Sequence, residues 1–165
     1  MAAKVPTTYQ IAWIALIPLM LFPLLSIFIC YKLGIEEFIL WGAVIYLIIA
    51  LGLRRVITKN FRQGMKLVKQ QQFSNAIPFF DKSVDFFNRN KWVDKFRSIT
   101  LLSASKMTYK EMGLCNIAFC YSQIGDRQKA KEYYERTLNE FPNNILAITA
   151  LKMINSIEQI SKKIE

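Results

Sequence analysis

The chain has 165 residues, of which 53% are hydrophobic, 13% aromatic and 21% charged, and its formal net charge is +10. It contains no histidine, which excludes Ser-His-Asp and Cys-His catalysis and histidine-ligated metal sites. Its three cysteines, Cys30, Cys115 and Cys120, form no CxxC pair and no disulfide framework. We therefore expect no catalytic residue, no cofactor and no metal site.

The positive charge is concentrated in the middle of the chain. Residues 1–53 carry two basic and two acidic side chains, whereas residues 54–110 carry 13 Lys/Arg against 3 Asp/Glu. Residues 111–165 carry seven of each and are neutral. The net charge therefore describes one block of the sequence rather than the whole molecule.

The first predicted element is a membrane span. Residues 11–30 contain no charged side chain, and as a helix they would extend about 30 Å, which matches the hydrocarbon thickness of a bilayer. Pro18 and Pro23 are tolerated in membrane helices. A signal peptide would have a shorter apolar region and a small-residue cleavage site, which Ile27, Phe28 and Ile29 do not provide.

The second apolar run, residues 38–53, is shorter but has favourable ends. Arg54 and Arg55 can extend towards the headgroups on one side, and Trp41 suits the interface on the other. A re-entrant or interfacial segment is the alternative. We predict a tight two-span hairpin, with a cytoplasmic N-terminus at 1–10 and transmembrane helices at 11–31 and 36–53.

The basic residues predict the orientation of this hairpin. Residues 54–69 contain six Lys/Arg and no acid, whereas the turn between the spans contains one Lys and two Glu. The positive-inside rule then places both termini in the cytoplasm. We expect an integral membrane protein of the bacterial inner membrane.

The sequence after the second span indicates helical repeats. Residues 111–144 carry small and large side chains at regular helical spacing and end in Pro-Asn-Asn. The positions that form this pattern are Leu114, Ile117, Ala118, Tyr121, Ala130, Tyr134, Thr137 and Pro142. The pattern resembles the tetratricopeptide repeat, in which two antiparallel helices pack closely. Gly125 is expected at the corner between them, and Thr108-x-x-Glu111 is a capping box that starts the first helix near Tyr109.

A weaker copy precedes it at residues 57–90. Gly64, Phe73, Ala76 and Phe80 occupy corresponding positions, but Gln71-Gln72 replaces the glycine corner. The all-α, tetratricopeptide-like domain is therefore predicted at 54–158. It comprises the weak repeat, an inserted helix at 91–107, the strong repeat at 111–144 and a capping helix at 145–158, followed by a tail at 159–165.

The resemblance implies that the first helix of each repeat lines a groove for a protein segment. By position, this partner groove would contain Phe61, Arg62, Met65, Lys69, Cys115, Asn116, Phe119 and Gln123. Only Asn116 fits the family's set for clamping a C-terminal carboxylate, so a mixed apolar and basic groove is expected instead. Four further basic residues are expected to face anionic lipid: Arg54, Arg55, Lys59 and Lys66.

The leading hypothesis is a membrane-anchored interaction module that recruits or assembles a protein partner at the cytoplasmic membrane surface. The alternative is a regulatory or assembly subunit of a membrane transport or envelope complex, which would use the hairpin itself as its interface. The basic block with Trp92 and Phe96 could also engage phosphates and bases, but the lack of a nucleic-acid motif disfavours this hypothesis.

Overall fold

The computed structural model describes residues 16–101, 103 and 105–164. In this part of the chain the regular structure is α-helical, with no β-strand. The helices, in chain order, are α1 (Leu16–Lys32), α2 (Phe38–Ile57), α3 (Lys59–Lys69), α4 (Phe73–Arg89), α5 (Lys91–Lys95), α6 (Arg97–Thr100), α7 (Tyr109–Gln123), α8 (Arg127–Glu140) and α9 (Ile145–Ile164).

The chain divides into two compact units. The hairpin unit comprises the described residues of 9–59 together with residues 90–108, and so contains α1, α2, α5 and α6. The repeat unit comprises residues 60–89 and 109–164 among those described, and so contains α3 from Asn60 onwards, α4, α7, α8 and α9.

Helices α1 and α2 form an antiparallel hairpin that is held by a close backbone approach. A Cβ atom on Gly42 would lie 2.6 Å from Cα of Ile27, so only glycine fits at this point. Next to it, the Ser26 hydroxyl donates a hydrogen bond to the Gly42 carbonyl over 2.9 Å. At the closed end, the Tyr31 and Phe38 rings meet edge to face with centroids 5.3 Å apart.

Among the described residues, one helix, Phe38–Ile57, is long and apolar enough to cross a bilayer. The apolar stretch Met20–Lys32 in α1 is shorter. The predicted N-terminus 1–10 and the first five residues of the predicted span 11–31 lie outside the described residues.

Helix α7 lies between α4 and α8 in the repeat unit. Small residues allow the close contacts: a Cβ on Gly113 would lie 2.6 Å from Cγ2 of Val84, and Ala118 and Ala130 are fully buried. Leu114 and Ile117 are fully buried beside them, as their helical spacing predicted. Helix α7 begins at Tyr109 and Gly125 forms the corner with a φ of 85°, so both predictions are confirmed.

The corner of the weak repeat closes in the same way as that of the strong repeat. After α3, the Gln72 amide donates to the Leu67 carbonyl and the Gln71 amide to the Val68 carbonyl, both over 2.9 Å. Asp126 and Gly125 donate in the same pattern after α7. This motif needs a left-handed residue at its centre, and Gln71 adopts it with a φ of 60°. The Gln71-Gln72 corner therefore departs from the pattern in sequence but not in geometry.

Helix α4 begins directly after the Gln71-Gln72 corner. Its first residue is Phe73, and Pro78 lies inside the helix. The Gln72 carbonyl accepts the Ala76 amide over 3.1 Å, so a backbone turn starts the helix.

The inserted segment differs from its prediction in both form and place. Instead of one helix over 91–107, its described residues form the short helices α5 and α6 and then a non-helical return at residues 101, 103 and 105–108. The Arg97 guanidinium holds this return by donating to the carbonyls of Ser105 over 2.8 Å and Lys106 over 2.7 Å. The segment belongs to the hairpin unit, where α6 contacts α1 and α2.

The last helix is longer than predicted. Helix α9 runs through most of the expected tail, because no residue between 155 and 164 breaks a helix. Ala147, Leu151 and Ile154 pack against Ala118 and Tyr134, whereas Ile145 is exposed.

The strained corner gives a stability prediction. Gln71→Gly should raise the free energy of unfolding by about 0.5–1 kcal/mol, because glycine adopts positive φ without a Cβ clash. The measurement is chemical denaturation of the full chain in detergent, followed by circular dichroism. The matched control, Gln70→Gly, should lower stability by about the same amount, since its φ is not positive. A loss of stability in Gln71→Gly would contradict the corner geometry.

Candidate functional site

The candidate site is the pair of helices expected to line the partner groove. Helix α3 carries Phe61, Arg62, Met65 and Lys69, and helix α7 carries Cys115, Asn116, Phe119 and Gln123. The structure places these side chains in three different environments: half-buried aromatic packing, full burial, and exposed polar surface.

Phe61 and Met65 pack against the edge of the core. The Phe61 ring meets Phe80 edge to face at 5.7 Å and Tyr109 at 5.3 Å, and Tyr109 stacks on Phe87 at 5.2 Å. The contact with Phe80 is close because α3 has Gly64 there: a Cβ on Gly64 would lie 2.8 Å from the Phe80 ring. Both side chains remain partly exposed, so they form the apolar border of α3 rather than a deep pocket.

The α7 residues lie mostly inside the repeat unit. Phe119 is 8% exposed and meets Phe73 edge to face at 6.0 Å. Asn116 is 9% exposed, and its amide donates to the Met112 carbonyl of its own helix over 2.8 Å. Gln123 is exposed at the end of the helix. Of the expected α7 groove residues, Gln123 alone presents a polar side chain to solvent.

Cys115 lies on the side of α7 that is covered by the end of the repeat. Burial raises the pKa of its thiol to about 12, the negative charge of Glu111 adds to the rise, and hydrogen bonds with Asn144 and Thr137 oppose it. Burial likewise raises the pKa of Cys120 to about 12. Both thiols are therefore protonated at neutral pH, and since the thiolate is the reactive form, their role is packing.

Asn144 closes this end of the repeat unit and was missed by the sequence analysis. Its amide donates to Glu111 over 2.8 Å, and its carbonyl oxygen accepts the Ala147 amide over 2.8 Å. It thereby caps the N-terminus of α9 and ties that helix to α7. The sequence contained enough information to predict this cap, because an asparagine directly before an amphipathic helix is a favoured N-cap residue.

The exposed face of α3 carries a stripe of basic side chains. Lys59, Arg62, Lys66 and Lys69 recur at intervals of three and four residues, so they share one face of the helix, and α3 contains no acidic residue. All four are exposed. Arg62 and Lys69 were predicted to face a partner and Lys59 and Lys66 to face lipid, but the helix presents all four together as one surface, which we call the α3 basic stripe.

The outer face formed by α4 and α8 carries a polar cluster. Burial raises the pKa of Asp81, and the neighbouring Asp85 adds to the rise; Arg136 and a hydrogen bond from Tyr133 oppose it. The Arg136 guanidinium lies 5.9 Å from the Tyr133 ring centroid. These side chains of α4 and α8 interact with one another. Among the described residues, no group of three His, Cys, Asp or Glu could hold a metal ion.

Residues 108–144 match the family model of the tetratricopeptide repeat. The match ends at the same residue as the predicted strong repeat and begins three residues earlier, so the prediction of such a repeat in this segment is confirmed. No curated protein and no solved structure matches the chain. Tetratricopeptide repeats are typically non-enzymatic modules for protein interaction.

The cap formed by Asn144 gives a prediction on stability. Asn144→Ala removes the acceptor for the Ala147 amide and the donor for Glu111, so the free energy of unfolding should fall by about 1–3 kcal/mol. Thermal and chemical denaturation of the full chain in detergent measures this loss. Asn143→Ala is the matched control, because Asn143 is exposed, and it should change stability by less than about 0.5 kcal/mol. Equal stability of the two variants would contradict the role of Asn144 as the cap of α9.

Proposed function

We propose that this chain is an integral membrane protein whose hairpin α1–α2 crosses the bilayer twice and whose repeat unit recruits or assembles a protein partner at the cytoplasmic surface. The observation that carries the proposal is the exposed apolar surface of the hairpin, combined with a tetratricopeptide repeat in the same chain.

Large apolar side chains of both hairpin helices are exposed. On α1 they include Met20, Leu21, Leu24, Leu25, Phe28 and Ile29, and on α2 they include Ile39, Leu40, Leu47, Ile48, Ile49 and Leu51. Soluble proteins rarely expose contiguous apolar patches above a few hundred Å². A hydrocarbon environment covers such a surface at no cost, which supports insertion into lipid.

The length and the ends of α2 suit a full crossing. Twenty residues give a helix of about 30 Å, close to the thickness of the hydrocarbon core. Arg54 and Arg55 lie exposed in its last turn, where they can reach phosphate groups. With the basic end inside, both termini lie in the cytoplasm, and the membrane we propose is the bacterial inner membrane.

The partner surface that we propose is the α3 basic stripe with its apolar border, Phe61 and Met65. An acidic protein segment with a few apolar side chains would match it in charge and in chemistry. Cys115, Asn116 and Phe119 then support the helices from within, and Gln123 is the α7 residue left for direct contact. Arg54 and Arg55 remain the residues proposed for anionic lipid.

Charge reversal on the stripe tests the partner surface. Arg62→Glu with Lys69→Glu should reduce capture of the cross-linked partner about tenfold, because two favourable charges become repulsive. The measurement is cross-linking in cells, purification in mild detergent and quantitative mass spectrometry. Arg127→Glu with Lys152→Glu is the matched control, since it reverses two exposed charges on α8 and α9 and should leave capture unchanged.

Two outcomes would contradict the proposal. Equal loss of partner in both double variants would mean that net charge, rather than the stripe, controls recruitment. If capture survives the stripe changes but is lost when the hairpin is exchanged for an unrelated one, the chain acts as a subunit that assembles through its hairpin, which is the alternative function.

A further inference from the structure

The inserted segment 90–108 is part of the hairpin unit rather than of the repeat unit. Helix α6 contacts both α1 and α2. Within the segment, Val93 and Leu101 are buried, so the segment contributes apolar side chains to the packed interior. The segment therefore packs beside the hairpin within this unit.

Helix α5 and the residue that follows it expose two large aromatic side chains. Trp92 is 61% exposed and Phe96 is 49% exposed, and their spacing of four residues puts them on one face. Val93, a smaller apolar residue between them, is 4% exposed. An amphipathic ring such as that of tryptophan suits the boundary between headgroups and acyl chains, where one side is apolar and the other wet.

The charged groups around these rings are positive. Lys91 and Lys95 are exposed beside the two aromatic residues, and the Lys95 ammonium lies 5.7 Å from the Phe96 ring centroid. The one acidic residue of the segment, Asp94, is buried. Aromatic rings flanked by exposed lysines are the composition by which interfacial helices bind anionic membranes.

We infer that residues 91–96 form an interfacial contact with an anionic phospholipid surface, with Trp92 and Phe96 at the acyl boundary and Lys91 and Lys95 against lipid phosphates. The inference rests on the proposed membrane hairpin, because α6 joins this segment to α1 and α2. Continuity with that apolar hairpin favours lipid over nucleic acid, which two lysines and two rings could otherwise attract. The segment then acts as a third membrane attachment.

Single-tryptophan variants separate this contact from the hairpin. The chain contains Trp13, Trp41 and Trp92. Trp13→Phe with Trp41→Phe leaves Trp92 as the reporter of the segment, and Trp13→Phe with Trp92→Phe leaves Trp41 as the reporter of α2. Each full-length variant is reconstituted into phosphatidylcholine vesicles with or without phosphatidylglycerol. The lipids carry bromine either near the headgroup end or near the methyl end of the acyl chains.

We expect Trp92 emission to be blue-shifted and quenched more strongly by bromine near the headgroups than by bromine near the chain ends. Quenching should be stronger with phosphatidylglycerol than without it, whereas quenching of Trp41 should not depend on the anionic lipid. Lys91→Gln with Lys95→Gln should abolish the dependence of Trp92 on phosphatidylglycerol. The control, Lys82→Gln with Lys152→Gln, should preserve it.

Each of the other possible quenching results contradicts a specific part of the proposal. If Trp41 is quenched by brominated lipid and Trp92 is not, the interfacial contact is wrong and the hairpin stands. If neither is quenched, the proposed membrane hairpin is wrong, and this inference falls with it. Quenching of Trp92 that is unaffected by phosphatidylglycerol and by the lysine changes would overturn the preference for anionic lipid.

Discussion

The exposed apolar surface of the hairpin is the constraint on which the proposed membrane location depends. Helices α1 and α2 approach closely where Gly42 meets the Ile27 backbone, and the Ser26 hydroxyl donates to the Gly42 carbonyl beside it. Such small-residue contacts are how helices pair in lipid, where packing and hydrogen bonds replace the hydrophobic effect. The larger apolar side chains point outwards, and only a hydrocarbon environment or another protein can cover them.

In the repeat unit, by contrast, buried apolar side chains pack around α7. Glycine and alanine let the neighbouring helices approach, and Leu114, Ile117 and Phe80 fill the space between them. The exposed charged side chains of α3 are all basic. The two units therefore present different surfaces, an apolar one on the hairpin and a basic one on α3.

Local patterns made much of this fold predictable. The helices of the strong repeat, its corner at Gly125 and its buried Leu114 depend on spacing within one short segment, which the sequence displays directly. The corner at Gln71 was harder to predict, because its conformation comes from the two backbone hydrogen bonds that close α3 rather than from the preference of glutamine. Residues 91–107 were placed in the wrong unit, since their packing partners α1 and α2 lie far away in sequence.

The candidate site was predicted less well, because exposure is a tertiary property. From their positions in the tetratricopeptide pattern, Cys115 and Asn116 were expected to line a groove. Instead, α8 and the Asn144 cap enclose the Cys115 thiol, and the Asn116 amide donates a hydrogen bond within its own helix. The α3 basic stripe could have been found from its spacing alone, had it been treated as one helical face. Lys59 and Lys66 were assigned to lipid because they follow the span, and Arg62 and Lys69 to the groove because of their position in the repeat.

The central claim is that the hairpin crosses a membrane twice with both ends on one side, and site-directed labelling tests it most directly. Leu33, at the hairpin turn, and Ile160, near the end of α9, are 71% and 60% exposed, whereas the native Cys30, Cys115 and Cys120 are buried, so the unmodified chain is the blank. A membrane-impermeant maleimide added to intact cells should label Leu33→Cys, and it should label Ile160→Cys only after permeabilisation. Labelling of both positions from the same side would contradict a hairpin that spans the membrane.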